Sequence, residues 1–175
     1  MANPHLVQLI AEAKRLEEDS LHSAKGHFAA AERWTSAHYW IGLPLAILSG
    51  VSGVLALAEH PVAGGTIAVG VAILTAVATF FNPSKRSGNH LAAGNGYKRI
   101  QNRSRRFYNI DCAGTSDTDS LQKILDSLAT ELDDLNEQSP KIPGWAYKRA
   151  LAAITAGEAS YAIDKPREAK RQNPR

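Results

Sequence analysis

A single cysteine, Cys112, leaves the chain unable to close an internal disulfide. Charge is missing from one long stretch. Between Ala37 and Phe81 the only formally charged side chain is Glu59, and no lysine or arginine occurs between Arg33 and Lys85. A buried hairpin of a soluble protein would carry polar residues at helical spacing, and this stretch does not. The composition as a whole, 44% hydrophobic with a mean hydropathy of −0.24, looks like an ordinary globular chain only because charge is crowded outside the stretch.

Other absences narrow the function. From Met1 to Arg33 the residues Glu12, Lys14, Arg15, Glu17, Glu18, Asp19, Lys25, Glu32 and Arg33 leave no room for an apolar signal-peptide core, so the uncharged stretch itself is expected to direct insertion. There is no strand alternation, no internal repeat, no GxSxG, no P-loop and no strand-borne GxGxxG. His22 and His27 lie five apart, on different helix faces, without Cys or acid at ligand spacing. We therefore expect no enzyme, no metal and no cofactor. No single-strand nucleic-acid site is expected either, because aromatics are not interleaved with the basic residues.

What is present reads as an all-α membrane protein: a two-span transmembrane hairpin with an N-terminal helix and C-terminal cytoplasmic helices. The spans, His38–Ala58 and Pro61–Phe81, are each about 21 residues, or about 31 Å of helix against a hydrocarbon core of about 30 Å. Glu59-His60-Pro61 marks the reversal. Lys85, Arg86, Lys98, Arg99, Arg103, Arg105 and Arg106 follow the second span with no acid among them, and Lys25 and Arg33 precede the first. The positive-inside rule then puts both termini in the cytoplasm of a multi-pass inner-membrane protein. Cys112 falls in a reducing compartment as an incidental thiol.

Along the chain we expect an N-terminal cytoplasmic helix over 1–37, opened at Asn3-Pro4 and either broken near Gly26 or, with no Pro before His38, continuous into the first span, and the hairpin over 38–81. A cytoplasmic helical region follows over 82–163. Its first helix starts at Ser87 or Asn89 with Leu91, Ile100, Ser104 and Phe107 inward, although Gly94 and Gly96 weaken it as a helix. Asp111–Thr118 reads as a loop. Asp119–Gln138 carries Leu121, Ile124, Leu125, Leu128, Leu132 and Leu135 at helical spacing, and Ser139–Pro143 connects to a last helix over Gly144–Ile163. The basic tail, 164–175, has the composition of a disordered segment.

Small residues dominate the spans. Gly42-x3-Ala46-x3-Gly50 and Ala68-x3-Ala72-x3-Ala76 are ridges along which helix backbones approach closely, either within the hairpin or between copies. Ser49, Gly50, Ser52, Gly53, Thr66, Gly70, Thr75 and Thr79 are the candidates for helix packing or for lining a path in a homo-oligomer, since two helices alone enclose no water. Serine and threonine in such helices also bond their own preceding turn. No ionisable group lies mid-membrane, which excludes a proton relay or charge-selective transport. Trp34, Tyr39, Trp40, Phe80 and Phe81 form an interfacial belt that anchors the spans in the lipid bilayer. Lys98, Arg99, Arg103, Arg105 and Arg106 suit anionic lipid headgroups or a phosphorylated ligand, and next a salt contact with the acidic helix.

The order of parts, with Thr79-Phe80-Phe81-Asn82-Pro83 at the span end, then His90-Leu91-Ala92-Ala93 and Tyr97, then Ser139–Pro143 and Ala146-Tyr147, resembles the SLATT family. These are two-span effector domains associated with SMODS and SLOG proteins in bacterial conflict systems. The likeness covers residues 5 to 163. It implies an oligomeric inner-membrane effector of anti-phage defence, forming a pore or disrupting the membrane, with a nucleotide-synthesising or sensor protein as partner. His90, Tyr97 and the Pro140–Pro143 connector match by position and carry structural roles. No sensor domain of the kind longer members carry is recognisable in these residues, which leaves the trigger open. The alternative is a non-conducting scaffold that docks a soluble partner on the leucine face, Leu121 to Leu135.

Overall fold

The computed structural model describes residues 3–58, 60–114 and 117–158, all of them in helices or short connections. Glu59 and the tail over 164–175 lie outside the described residues. The chain divides into two compact units, one formed by Met1–Ala29 with Ala92–Arg175 and the other by Ala30–Leu91.

Helix α1, Pro4–Leu57, is unbroken. Of the two readings at Gly26 the continuous helix holds, and that glycine serves packing: a Cβ there would stand 3.0 Å from Cγ2 of Ile142. Helix α2, Pro61–Phe81, ends at Asn82, which takes the left-handed conformation (φ 41°) that asparagine tolerates better than most residues. α3, Pro83–Arg106, then starts at once, with Asn82 Oδ1 accepting from the Lys85 amide at 3.1 Å. It begins four residues before the expected Ser87, since the Asx contact at Asn82 satisfies the first turn.

Beyond α3 the chain stays helical as far as Gly114, into the first half of the segment expected as a loop; positions 115 and 116 lie outside the described residues, and Asp117 is extended. A π-helical turn, Phe107–Asp111, leads into the short α4, Cys112–Gly114. The wider turn goes with Phe107 and Cys112 both being buried. Helix α5, Thr118–Gln138, is capped by Asp117, whose carboxylate accepts from the Asp119 and Ser120 amides and sits below the ordinary carboxylate range because of its Ser120 hydrogen bonds. α6 runs over Gly144–Thr155, ending well before Ile163; positions 159–163 are outside the described residues.

The core of the first unit joins Leu9, Ala13 and Leu16 of α1 to Tyr97 and Ile100 of α3, Phe107, and Leu121, Leu125, Leu128 and Leu132 of α5. Leu91 and Ile124, expected inward, are 48% and 40% exposed; Ile124 sits at the margin of the α5 stripe, whereas Leu91 lies on the outward side of α3, away from the face that carries Ala93, Tyr97, Ile100 and Ser104. Gly94 and Gly96 do not weaken α3. They let it approach its neighbours, since an added Cβ would meet Cε1 of Phe28 at 2.8 Å and Cδ1 of Leu135 at 3.0 Å.

Polar contacts fix the same faces. Tyr97 donates its hydroxyl to Asn136 Oδ1 at 2.8 Å and stacks on buried His27, ring centroids 5.3 Å apart and planes within 16°. Arg103 is bonded to Glu131. Tyr108 donates to Glu17 Oε2 at 2.6 Å, and burial with that carboxylate pushes its pKa well above the usual phenol range.

Candidate functional site: the apolar helical hairpin

The second unit contains the apolar part of α1 and all of α2, and both helices are long and apolar enough to cross a membrane. In each, only 6% of the most apolar window is buried, whereas the core helix of a water-soluble protein of this hydropathy would be mostly enclosed. Leu43, Ile47, Val54 and Leu57 on α1, and Val62, Val69 and Ile73 on α2, turn outward. This outward apolar surface is the feature a function has to use.

One contact holds the two helices closest. Ser52 donates its hydroxyl to the Gly64 carbonyl at 2.7 Å and is buried there. A Cβ on Gly64 would lie 2.8 Å from both the Ala56 nitrogen and the Ser52 carbonyl oxygen, so only glycine fits this crossing. Gly64 belongs to the small-residue surface of the sequence, yet nothing in the sequence separates it from Gly65, which meets nothing within 4 Å.

The other small residues divide sharply from that one. Gly42, Gly50, Gly53 and Gly70 all have open space where a Cβ would stand. The hairpin therefore leaves the Gly42–Gly50 ridge unused within one copy. Thr66 and Thr79 donate back to the carbonyls of Val62 and Thr75, both at 2.8 Å, and so spend their hydroxyls on their own helix. Thr75 lines a cleft of about 300 Å³ with His38, Ile41, Gly42, Ala78 and Ser84. Ser49 is exposed.

Of the aromatic belt, Tyr39, Trp40, Phe80 and Phe81 are exposed, and Trp34 is half-buried under the Arg86 guanidinium, 5.1 Å from its ring centroid. Arg86 also donates Nε–H to the Phe81 carbonyl at 2.8 Å, closing the C-terminal end of α2. Ser87 bonds the Ala31 carbonyl at 3.0 Å and pairs with Thr35 at 2.7 Å. These contacts tie the start of α3 to the middle of α1.

The basic row is split. Arg103 is taken by Glu131, the contact ranked second in the sequence, and Lys98 donates to Gln101 at 2.7 Å; Arg99 and Arg106 are exposed. The leucine face of α5 is covered by the chain's own core, so Leu121, Leu125, Leu128 and Leu132 offer no surface to a soluble partner. Among the described residues no group of His, Cys, Asp or Glu could hold a metal ion.

His90, buried beside Arg86, has its pKa lowered by desolvation and by that positive charge. Its folded pKa lies below the unfolded value, so its contribution to stability is full above about pH 6.5 and is lost as pH falls from there through the folded pKa. Thermal unfolding in micelles at pH 7.5 and 5 should show acid destabilisation, and His90→Gln should reduce that pH dependence. An equal slope in both proteins would assign the effect elsewhere.

No family model, curated protein or solved structure matches the chain.

Proposed function

We propose that the chain is an oligomeric inner-membrane effector of a bacterial anti-phage conflict system, with two spans, both termini in the cytoplasm, and a pore or membrane disruption as its output. The observation that carries this reading is the contrast between glycines. Gly64 is consumed by the hairpin, while Gly42, Gly50, Gly53 and Gly70 face open space on an apolar surface. Lipid tails give no incentive for a glycine ridge, but a second helix does, because close backbone approach is what drives association in a bilayer. The outward apolar side chains suit lipid, the flanking Lys85 and Arg86 suit the cytoplasmic side, and the resemblance to SLATT domains supplies the conflict-system context. With no ionisable group mid-span, conduction would be weakly selective or gated by an apolar constriction. The trigger in this reading is a nucleotide signal or a partner protein.

The test is induced expression with a membrane-potential dye. The wild type should depolarise cells in proportion to its level. Gly50→Leu and Gly53→Leu, whose Cβ atoms would enter open space within one copy, should abolish the leak while insertion persists. No leak at any expression level, or a leak untouched by both variants, would overturn the pore reading and leave a non-conducting membrane protein, one whose partner would have to dock elsewhere than on the buried leucine face.

A further inference from the structure

We infer that copies of this chain join head to tail through charge, the exposed face of α3 on one copy meeting the exposed face of α5 on the next; this rests on the oligomeric reading above. Every formally charged side chain of α3 is basic, and Lys123 is the only base on α5, whose acids include Asp126, Asp133, Asp134 and Glu137. Within one copy these two helices already meet through Tyr97 with Asn136, Gly96 with Leu135 and Arg103 with Glu131. Those contacts occupy the facing sides and leave Arg99, Arg106 and the four acids exposed.

The spacing of the two rows matches. Arg99 and Arg106 stand seven residues apart on one face of α3, and Asp126 and Asp133 stand seven apart on one face of α5, each pair spanning about 10.5 Å of helix. Both charge pairs can therefore form at once, with Asp134 and Glu137 extending the negative field. Like rows repel, so α3 against α3 and α5 against α5 are disfavoured, and the complementary pairing is the one that remains. Because the two faces are different patches, the contact is heterologous and repeats from copy to copy, closing into a ring where the rotation allows. Such an arrangement gathers several hairpins without using the leucine core.

The experiment uses the full chain in bacterial membranes, with amine cross-linking and gel analysis of multimers. Arg99→Glu with Arg106→Glu, and separately Asp126→Arg with Asp133→Arg, should each cut the multimer ladder about tenfold, because every contact then sets like charges together. Co-expressing the two variants should restore the ladder, since each supplies the face the other lacks and the reversed faces also match. Restoration of this kind cannot come from a misfolded chain. A ladder unchanged in either variant overturns the interface and leaves the oligomeric reading standing. A ladder lost in both and not regained on mixing overturns it too, and points to lipid headgroups or another partner on these faces. A wild type without multimers removes the oligomeric reading and the interface with it.

Discussion

Gly64→Leu should drive the two long apolar helices apart, lowering the thermal midpoint of the micelle-bound protein, followed by far-UV circular dichroism, by roughly 6 to 12 °C. The cause is steric. The first atom of any side chain at this position meets the Ala56 nitrogen and the Ser52 carbonyl at 2.8 Å, and both are helix backbone, so no rotamer change relieves the overlap. Overpacking costs about 1 to 3 kcal/mol where side chains yield, and here the yielding element is a whole helix, which places the cost at the upper end. The Ser52 hydroxyl also loses its 2.7 Å bond to Gly64. Gly65→Leu is the control, since its Cβ enters open space and the midpoint should stay put. Equal effects at 64 and 65 would mean that the helices do not cross where the structure has them cross.

Phe107→Ala should open the helical unit built on α3 and α5. The side chain is fully buried in the core that residues of α1, α3 and α5 share, and truncating such a phenylalanine costs about 3 to 5 kcal/mol through lost burial and the cavity left behind. Cys112 gives a direct readout. It is the only cysteine in the chain, it is buried near Phe107, and desolvation raises its thiol pKa, so maleimide labels it slowly while the unit stays closed. Labelling should accelerate about a hundredfold or more in Phe107→Ala, whereas Ile110→Ala, at a residue 61% exposed, should change it little. Labelling at the wild-type rate would show that Phe107 does not hold this core together.

The leucines of α5 show what could be read from the chain alone. Their i, i+3, i+4 spacing places them on one stripe, and burial follows for Leu121, Leu125, Leu128 and Leu132. Ile124 falls at the margin of the same stripe and is exposed, because periodicity fixes a direction around the helix and not how far a neighbour reaches. Gly94 and Gly96 show the opposite failure. A propensity scale counts them against a helix, while in the fold they are the points where α3 comes within reach of Phe28 and Leu135. The π-helical turn at Phe107–Asp111 has no local signal; it goes with two residues, Phe107 and Cys112, that share one core.

The candidate site divides in the same manner. Its aromatic ends and small-residue ridges are matters of composition and were legible. Which small residue is spent inside the hairpin was not, since Gly50, Gly53, Gly64 and Gly65 are chemically alike and differ only in what stands beside them. The basic row was visible as charge, but its division into Arg103, held by Glu131, and the exposed Arg99 and Arg106 required two helices in register.

The sequence by itself determined the helical class and the two long uncharged apolar segments, because hydropathy, charge and period are properties of neighbouring residues along one chain. Tertiary structure alone decided that Gly64 closes the hairpin, that Gly42, Gly50, Gly53 and Gly70 stay open, and that the leucine stripe is covered by the chain's own core and not left for a partner. Those outcomes depend on distances of a few ångströms between residues far apart in sequence, and no local pattern encodes them.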